Sequence, residues 1–186
     1  MKKSKSLGKG LFLSVILLFA SFTALFILYQ YSREKSYRVE LLNARLQAYN
    51  NSMHENLLYK LSLDSILDTP TSVVTQYVNN HKITDLRVTI VSDSGQVLFD
   101  NKTVPFNSTE NHLTRNEVKS AIENGSGYAI NRHSETTGER YFYSATYYPQ
   151  NRIIVRSALP YNLTLANLLK GDTTFLWVSL LVAPTT

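Results

Sequence analysis

Arg87-Val-Thr-Ile-Val-Ser-Asp-Ser-Gly-Gln-Val-Leu-Phe-Asp100 alternates branched apolar residues with polar ones, breaks at Asp93-Ser94-Gly95, and then resumes. Period-two alternation places every second side chain on one face, as in a half-buried strand. Asp-Ser-Gly is turn chemistry, because glycine accepts the backbone angles that a tight reversal needs. The segment therefore predicts a hairpin, with strands over 86–92 and 96–99.

Toward the carboxyl end, residues 100–112 are polar and loop-like. Thr114 followed three residues later by Glu117 forms a capping-box pattern, which predicts a helix over 114–124 ended by Gly125. Strands are predicted over 127–133, 140–148 and 152–159. They are joined at Thr137-Gly138 and at Pro149-Gln150-Asn151, and Pro160 ends the last. The tyrosines of 140–148 alternate with Phe142, so one set belongs to the core. Residues 161–169 read as helical.

Toward the amino end, Thr69-Pro70 marks a helix start whose apolar face is Val73, Val74, Tyr77 and Val78. Before it, residues 29–61 contain no proline or glycine. Leu42, Leu46, Tyr49, Met53, Leu57 and Leu61 recur there at steps of three and four, forming one stripe of a long helix. The stripe packs on its own sheet, or its membrane-proximal part pairs with the same helix of a second chain, or both hold for different turns; Leu42, Leu46, Tyr49 and Met53 are the candidate dimer residues. The fold class is α+β, with a long helix on a five-stranded antiparallel sheet.

The two ends are apolar. Residues 10–32 carry no charge and would span about 34 Å as a helix, against a hydrocarbon core of roughly 30 Å. Lys2, Lys3, Lys5 and Lys9 precede them, which places the amino terminus in the cytoplasm. A cleaved signal peptide is the alternative. Its apolar core is shorter, and Phe22 stands where a small residue would precede a cut after Ala24. At the other end, Phe-Leu-Trp-Val-Ser-Leu-Leu-Val-Ala begins at Phe175 and is too short to span. It reads as a second span cut short, or as an amphipathic surface helix. The expected organisation is a cytoplasmic tail over 1–9, a transmembrane helix over 10–32, an extracytoplasmic domain over 33–172, and the start of a truncated second transmembrane helix over 173–186.

Four of the five net positive charges belong to the amino-terminal lysines, so the basic balance reflects topology and not a nucleic-acid surface. There is no cysteine, which excludes disulfides and thiolate metal sites.

The hairpin over 87–100 resembles the first hairpin of extracytoplasmic sensor domains in bacterial histidine kinases. Glu110-Asn111-His112 with Arg115 and Glu117 is similar to their E-N-H-x-x-R-x-E segment. Residues 127–134, Tyr141-Phe-Tyr-Ser-Ala145 and Val155-Arg-Ser-Ala-Leu-Pro160 match the strands that follow. The resemblance covers residues 1–183 and points to phosphate-regulon and cell-wall type sensor kinases of the Bacteroidetes kind. Asn116 stands where proline is common. The resemblance implies a PAS-like, single-Cache domain in the bacterial cytoplasmic membrane, a homodimer, and a small extracytoplasmic ligand. It also implies a kinase core, absent here, through which alone a response regulator would be reached. A chemoreceptor fragment and a stand-alone membrane-anchored partner protein are the alternatives.

Asn111, His112, Arg115, Arg132, Tyr141, Tyr143 and Arg156 are the candidate ligand-binding residues, since arginine suits carboxylate or phosphate. The opposing reading is that Arg115 and Arg132 pair with Glu117 or Glu135 and fix the loop. His54-Glu55 lacks the context of a phosphoacceptor and reads as a solvated helix residue. The four histidines show no metal-site spacing, no Gly-x-Ser-x-Gly elbow occurs, and no cofactor is expected. Five Asn-x-Ser/Thr triplets, at Asn50, Asn101, Asn107, Asn124 and Asn162, read as exposed polar turns.

Overall fold

The computed structural model describes residues 3–60, 70–81, 83–102, 111–135 and 137–170. Leu61, Thr69, most of the polar loop and the run over 173–186 lie outside the described residues. Two compact units emerge, one of residues 1–39 and 169–186, the other of 40–168.

Helix α1 runs without a break from Lys3 to Lys60. In the first unit it carries Leu11, Phe12, Leu18, Phe19 and Phe22, each at least 64% exposed, on a helix long and apolar enough to cross a membrane. The hydroxyls of Ser14, Ser21 and Thr23 are satisfied by the helix's own backbone. Ser14 Oγ donates to Gly10 O at 2.8 Å, and Thr23 Oγ1 to Phe19 O at 2.9 Å. A segment facing hydrocarbon must meet its polar needs internally in this way.

The second unit holds the sheet. The remaining elements are α2 (Pro70–His81), β1 (Arg87–Ser92), β2 (Val97–Asp100), a 3-10 turn (His112–Thr114), α3 (Asn116–Asn124), β3 (Ser126–His133), β4 (Arg140–Tyr148), β5 (Ile153–Pro160) and α4 (Leu163–Leu169). The strand order is β2-β1-β5-β4-β3, antiparallel throughout. β3, β4 and β5 form the expected meander. β5 returns to lie beside β1, which makes β5 the central strand, flanked by β1 and β4.

One sheet face carries Val88, Ile90, Phe142, Ser144, Val155 and Ser157, all buried. α1 lies across it, and Leu46, Met53 and Leu57 on that helix are at most 3% exposed. The joint is keyed by polar bonds. Asn50 Nδ2 donates to Ser144 O (3.4 Å) and Thr146 Oγ1 (3.2 Å), and Ser157 Oγ donates to Asn50 Oδ1. Ser144 Oγ donates to Asn43 Oδ1 at 2.7 Å. The stripe thus packs on its own sheet. Leu46, Tyr49 and Met53 are buried within the chain, while Leu42 is half-buried.

Two polar residues on this helix correct the sequence reading. Asn50 is fully buried in mid-helix, not an exposed turn. His54 is buried as well; its Nε2 lies 2.8 Å from Asn151 Oδ1, and its ring stacks on Tyr148 at 3.7 Å. Both share the inward face of the apolar stripe, where sheet hydroxyls and amides supply the partners a buried polar group requires.

The opposite face carries Val91, Ala145 and Ile154, against which α3 packs Val118 and Ala121. Gly127 makes that approach possible. A Cβ there would lie 2.5 Å from both Glu117 O and Ser120 Cβ. α3 ends at Gly125 (φ 84°) as expected, but it begins at Asn116 and not at Thr114. Its N-cap is Arg115, which makes no side-chain cap bond. The Glu117 carboxylate turns instead toward buried arginines, because a charge-assisted bond outcompetes a neutral backbone N–H. Asn111 caps the preceding turn by accepting from Leu113 N at 2.8 Å.

Candidate functional site

The face that carries α3 continues into a polar cluster built by alternation along three strands. β1 contributes Arg87 and Thr89, β5 contributes Arg156, and β4 contributes Tyr141 and Tyr143. Thr89 pairs with both Asp100 and Arg156 in the ladder, so the three share one face. β3 adds Arg132 from just beyond a bulge at Asn131 (φ 55°), which re-aims the side chain that follows. The first turn of α3 adds Glu117.

A continuous network joins them. Arg132 Nη2 and Arg156 Nη1 both donate to Glu117 Oε1, at 3.0 and 3.2 Å. Arg156 Nη2 donates to Thr89 Oγ1 (3.2 Å), and Thr89 Oγ1 donates to Asp100 Oδ2 (3.1 Å). Asp100 also accepts from Arg87 Nη2 at 2.7 Å, and Arg87 Nη1 donates to Ser134 Oγ at 2.9 Å. The tyrosines back the cations. Arg132 and Arg156 lie 4.2 and 4.8 Å from the Tyr143 ring centre, and Arg87 lies 5.8 Å from that of Tyr141. Glu117, Arg156, Arg87 and Asp100 are all buried, whereas Arg132 keeps 20% of its side chain exposed.

Three guanidiniums, Arg87, Arg132 and Arg156, are bonded to two carboxylates, Asp100 and Glu117. At the margin Glu139 accepts from the Tyr141 hydroxyl at 2.7 Å, and Arg115 pairs with Glu135. Burial drives the pKa of Arg156 below its usual value, against the pull of Glu117. For Arg87, burial pulls down too, but the bonds from Asp100 outweigh it and carry the value up. His112 is buried and held to about 3, first by burial and then by Arg156, Arg115, Arg132 and Arg87. It is a neutral imidazole at ordinary pH.

Of the seven residues singled out from the sequence, the structure gathers His112, Arg132, Tyr143 and Arg156, with Tyr141 joined through Arg87. Asn111 is elsewhere employed: it fastens the hairpin turn, donating to Ser94 O at 3.2 Å. Arg115 sits at the margin, 3.5 Å from Glu135. Arg132 pairs with Glu117 and Arg115 with Glu135, the pairings that the opposing reading named. Sequence reasoning missed Arg87, Thr89, Asp100, Ser134 and the role of Glu117. The available signal was an arginine at an inward position of a buried strand, two residues before an inward threonine.

No family model matches the chain, and no curated protein matches it. Solved structures do. The ligand-binding domain of the Campylobacter jejuni chemoreceptor Tlp3, in complex with L-valine, superposes with a TM-score of 0.56 at 14% identity, over 81% of this chain and 65% of that one. This chain therefore spans just under two thirds of that domain. The ligand-binding domain of the Pseudomonas fluorescens chemoreceptor CtaA, in complex with L-isoleucine, gives 0.49 at 13% identity, over 80% of this chain and 62% of that one. A periplasmic sensor domain of a chemotaxis protein gives 0.43 at 10% identity, over 66% and 97% respectively. The fold is thus that of PAS-like, Cache-type domains, shared with a chemoreceptor ligand-binding domain. The chain is membrane-anchored, with this domain following an N-terminal transmembrane helix on the extracytoplasmic side.

Proposed function

We propose that this chain is the sensory input of a membrane signalling protein, and that its extracytoplasmic domain binds a small carboxylate-bearing molecule of the α-amino acid class. One observation carries the reading. Three guanidiniums, two buried and that of Arg132 20% exposed, converge on two carboxylates, on a sheet face whose opposite side is keyed to the helix that enters the membrane. Arginine donors suit a carboxylate, and Glu117, whose Oε2 has no partner among the described residues, suits an ammonium group once its arginines turn to the ligand.

The fold shared with Tlp3 supports a chemoreceptor-type input. Coupling to a histidine kinase rests on the sequence resemblance, and with it the homodimer, the bacterial cytoplasmic membrane and the division at residues 32 and 172. Ligand binding would favour one of two arrangements of α1 on the sheet, by the difference in its affinity for them.

Thermal unfolding of the full chain in lipid nanodiscs tests this, with a panel of L-amino acids and organic acids. At least one α-amino acid should raise the melting temperature, since a ligand that binds only the folded state stabilises it. A panel in which no amino acid or organic acid produces a shift would sink the reading.

A further inference from the structure

The two carboxylates of the cluster are bonded in unlike ways. Asp100 is saturated. It accepts from Arg87 Nε at 3.2 and 3.0 Å, from Arg87 Nη2, from Thr89 Oγ1, and from Lys102 N at 3.0 Å. Glu117 is not. Two arginines converge on its Oε1, and its Oε2 has no partner among the described residues although the side chain is fully buried. The same two arginines each leave Nε without a partner there. A buried group left short of bonds calls for a physical reason. Asp100 is bonded as a structural ion pair is, whereas Glu117 holds a place that a better acceptor would fill.

Its mounting fits that role. Glu117 rides on the first turn of a nine-residue helix whose N-cap supplies no side-chain bond. α3 is seated by Val118 and Ala121 and by the close approach at Gly127. Arg132 and Arg115 line the solvent side, at 20% and 17% exposure.

We infer that Glu117 is a tethered anion occupying the carboxylate position of the ligand site, so that a ligand's own carboxylate must displace it from Arg132 and Arg156 and release the first turn of α3. This rests on the proposed ligand site. It restricts the ligand further: a molecule without a carboxylate or comparable anionic group cannot replace the charge that Glu117 provides, so the site selects ligands that carry one.

The test is acetate, a carboxylate with no other recognition group. Glu117→Ala leaves Arg132 and Arg156 facing each other with the anion position open. In the 186-residue chain in nanodiscs, a potassium acetate titration should raise the melting temperature of this variant by about 3 °C. The wild type in the same titration should not move, which removes general salt effects. Glu117→Ala combined with Arg132→Gln should not respond either. If Glu117→Ala does not fold, Glu117→Ser, too short to reach the arginines and so leaving the same position open, takes its place. Equal response of all three proteins, or no response in any, overturns the inference. Acetate rescue without any amino acid shift in the wild type would retain the tethered anion and sink only the proposed ligand class.

Discussion

Arg156 and Ser157 are neighbours on β5 that serve opposite faces of the sheet. Arg156 Nη1 reaches Glu117 at 3.2 Å on the α3 side, and Ser157 Oγ donates to Asn50 of α1 on the other. On β4, Tyr143 and Ser144 divide in the same way, Tyr143 under the arginines and Ser144 under Asn43 and Asn50. A single strand thickness therefore separates the charged cluster from the joint that holds the long helix.

Asn50 is the most fully bonded member of that joint. Asn50→Ala should cost about 2 kcal/mol, the penalty for stranding buried partners. Thermal unfolding should show a fall of several degrees. An Asn50→Ala protein as stable as wild type would mean that the polar key is incidental to the packing of α1.

Asp100 is the counter-ion on which Arg87 depends. Asp100→Ala leaves a buried guanidinium uncompensated and should cost about 3–5 kcal/mol. Replacing Arg87 and Asp100 together by apolar residues should recover much of the loss. A double variant as unstable as the single one would contradict the pairing.

His112 gives stability a direction in pH. Its folded-state value is lowered to about 3, from 6.5 for the free group. Between those values the unfolded chain takes up a proton that the folded chain refuses, so stability falls as pH drops below 6.5 and levels off below 3. The loss should be about 2 kcal/mol by pH 5. His112→Gln should flatten this limb in denaturant titrations at pH 5 and pH 7.

Gly127 and Gly125 separate crowding from backbone strain. Alanine at 127 meets Glu117 O and Ser120 Cβ at 2.5 Å and should cost about 1–3 kcal/mol while loosening α3. Alanine at 125 meets nothing within 4 Å and suffers only from its positive φ, at about 1 kcal/mol. Hydrogen exchange of α3 should rise in the first variant more than in the second.

The absence of cysteine makes topology directly testable. With Ser6→Cys and Glu123→Cys made singly, a membrane-impermeant maleimide added to intact cells should label the second and spare the first. Labelling of both would contradict the orientation read from the lysine tail.

Much of the architecture was legible in the sequence because it is local. The hairpin over 87–100 announces itself by period-two alternation around Asp-Ser-Gly, β4 by its alternating aromatics, and the end of α3 by Gly125. The apolar stripe identified the inward face of α1. It did not identify Asn50 and His54 on that same face, because a periodicity of apolar residues passes over polar ones that are buried by having partners.

The sequence by itself determined which segments are helix, strand and span, since side-chain periodicity, turn residues and the length of an uncharged run act over a few neighbouring residues. Tertiary structure alone decided that β5 lies beside β1, and this brings Arg156 to Thr89 and Asp100 from 67 and 56 positions away in the chain. It also decided that Glu117, spaced to cap its own helix, instead serves two arginines. The physical reason is desolvation: with the Arg156 guanidinium buried and that of Arg132 mostly so, a carboxylate gains more from neutralising them than from a backbone N–H, and no local pattern records that burial.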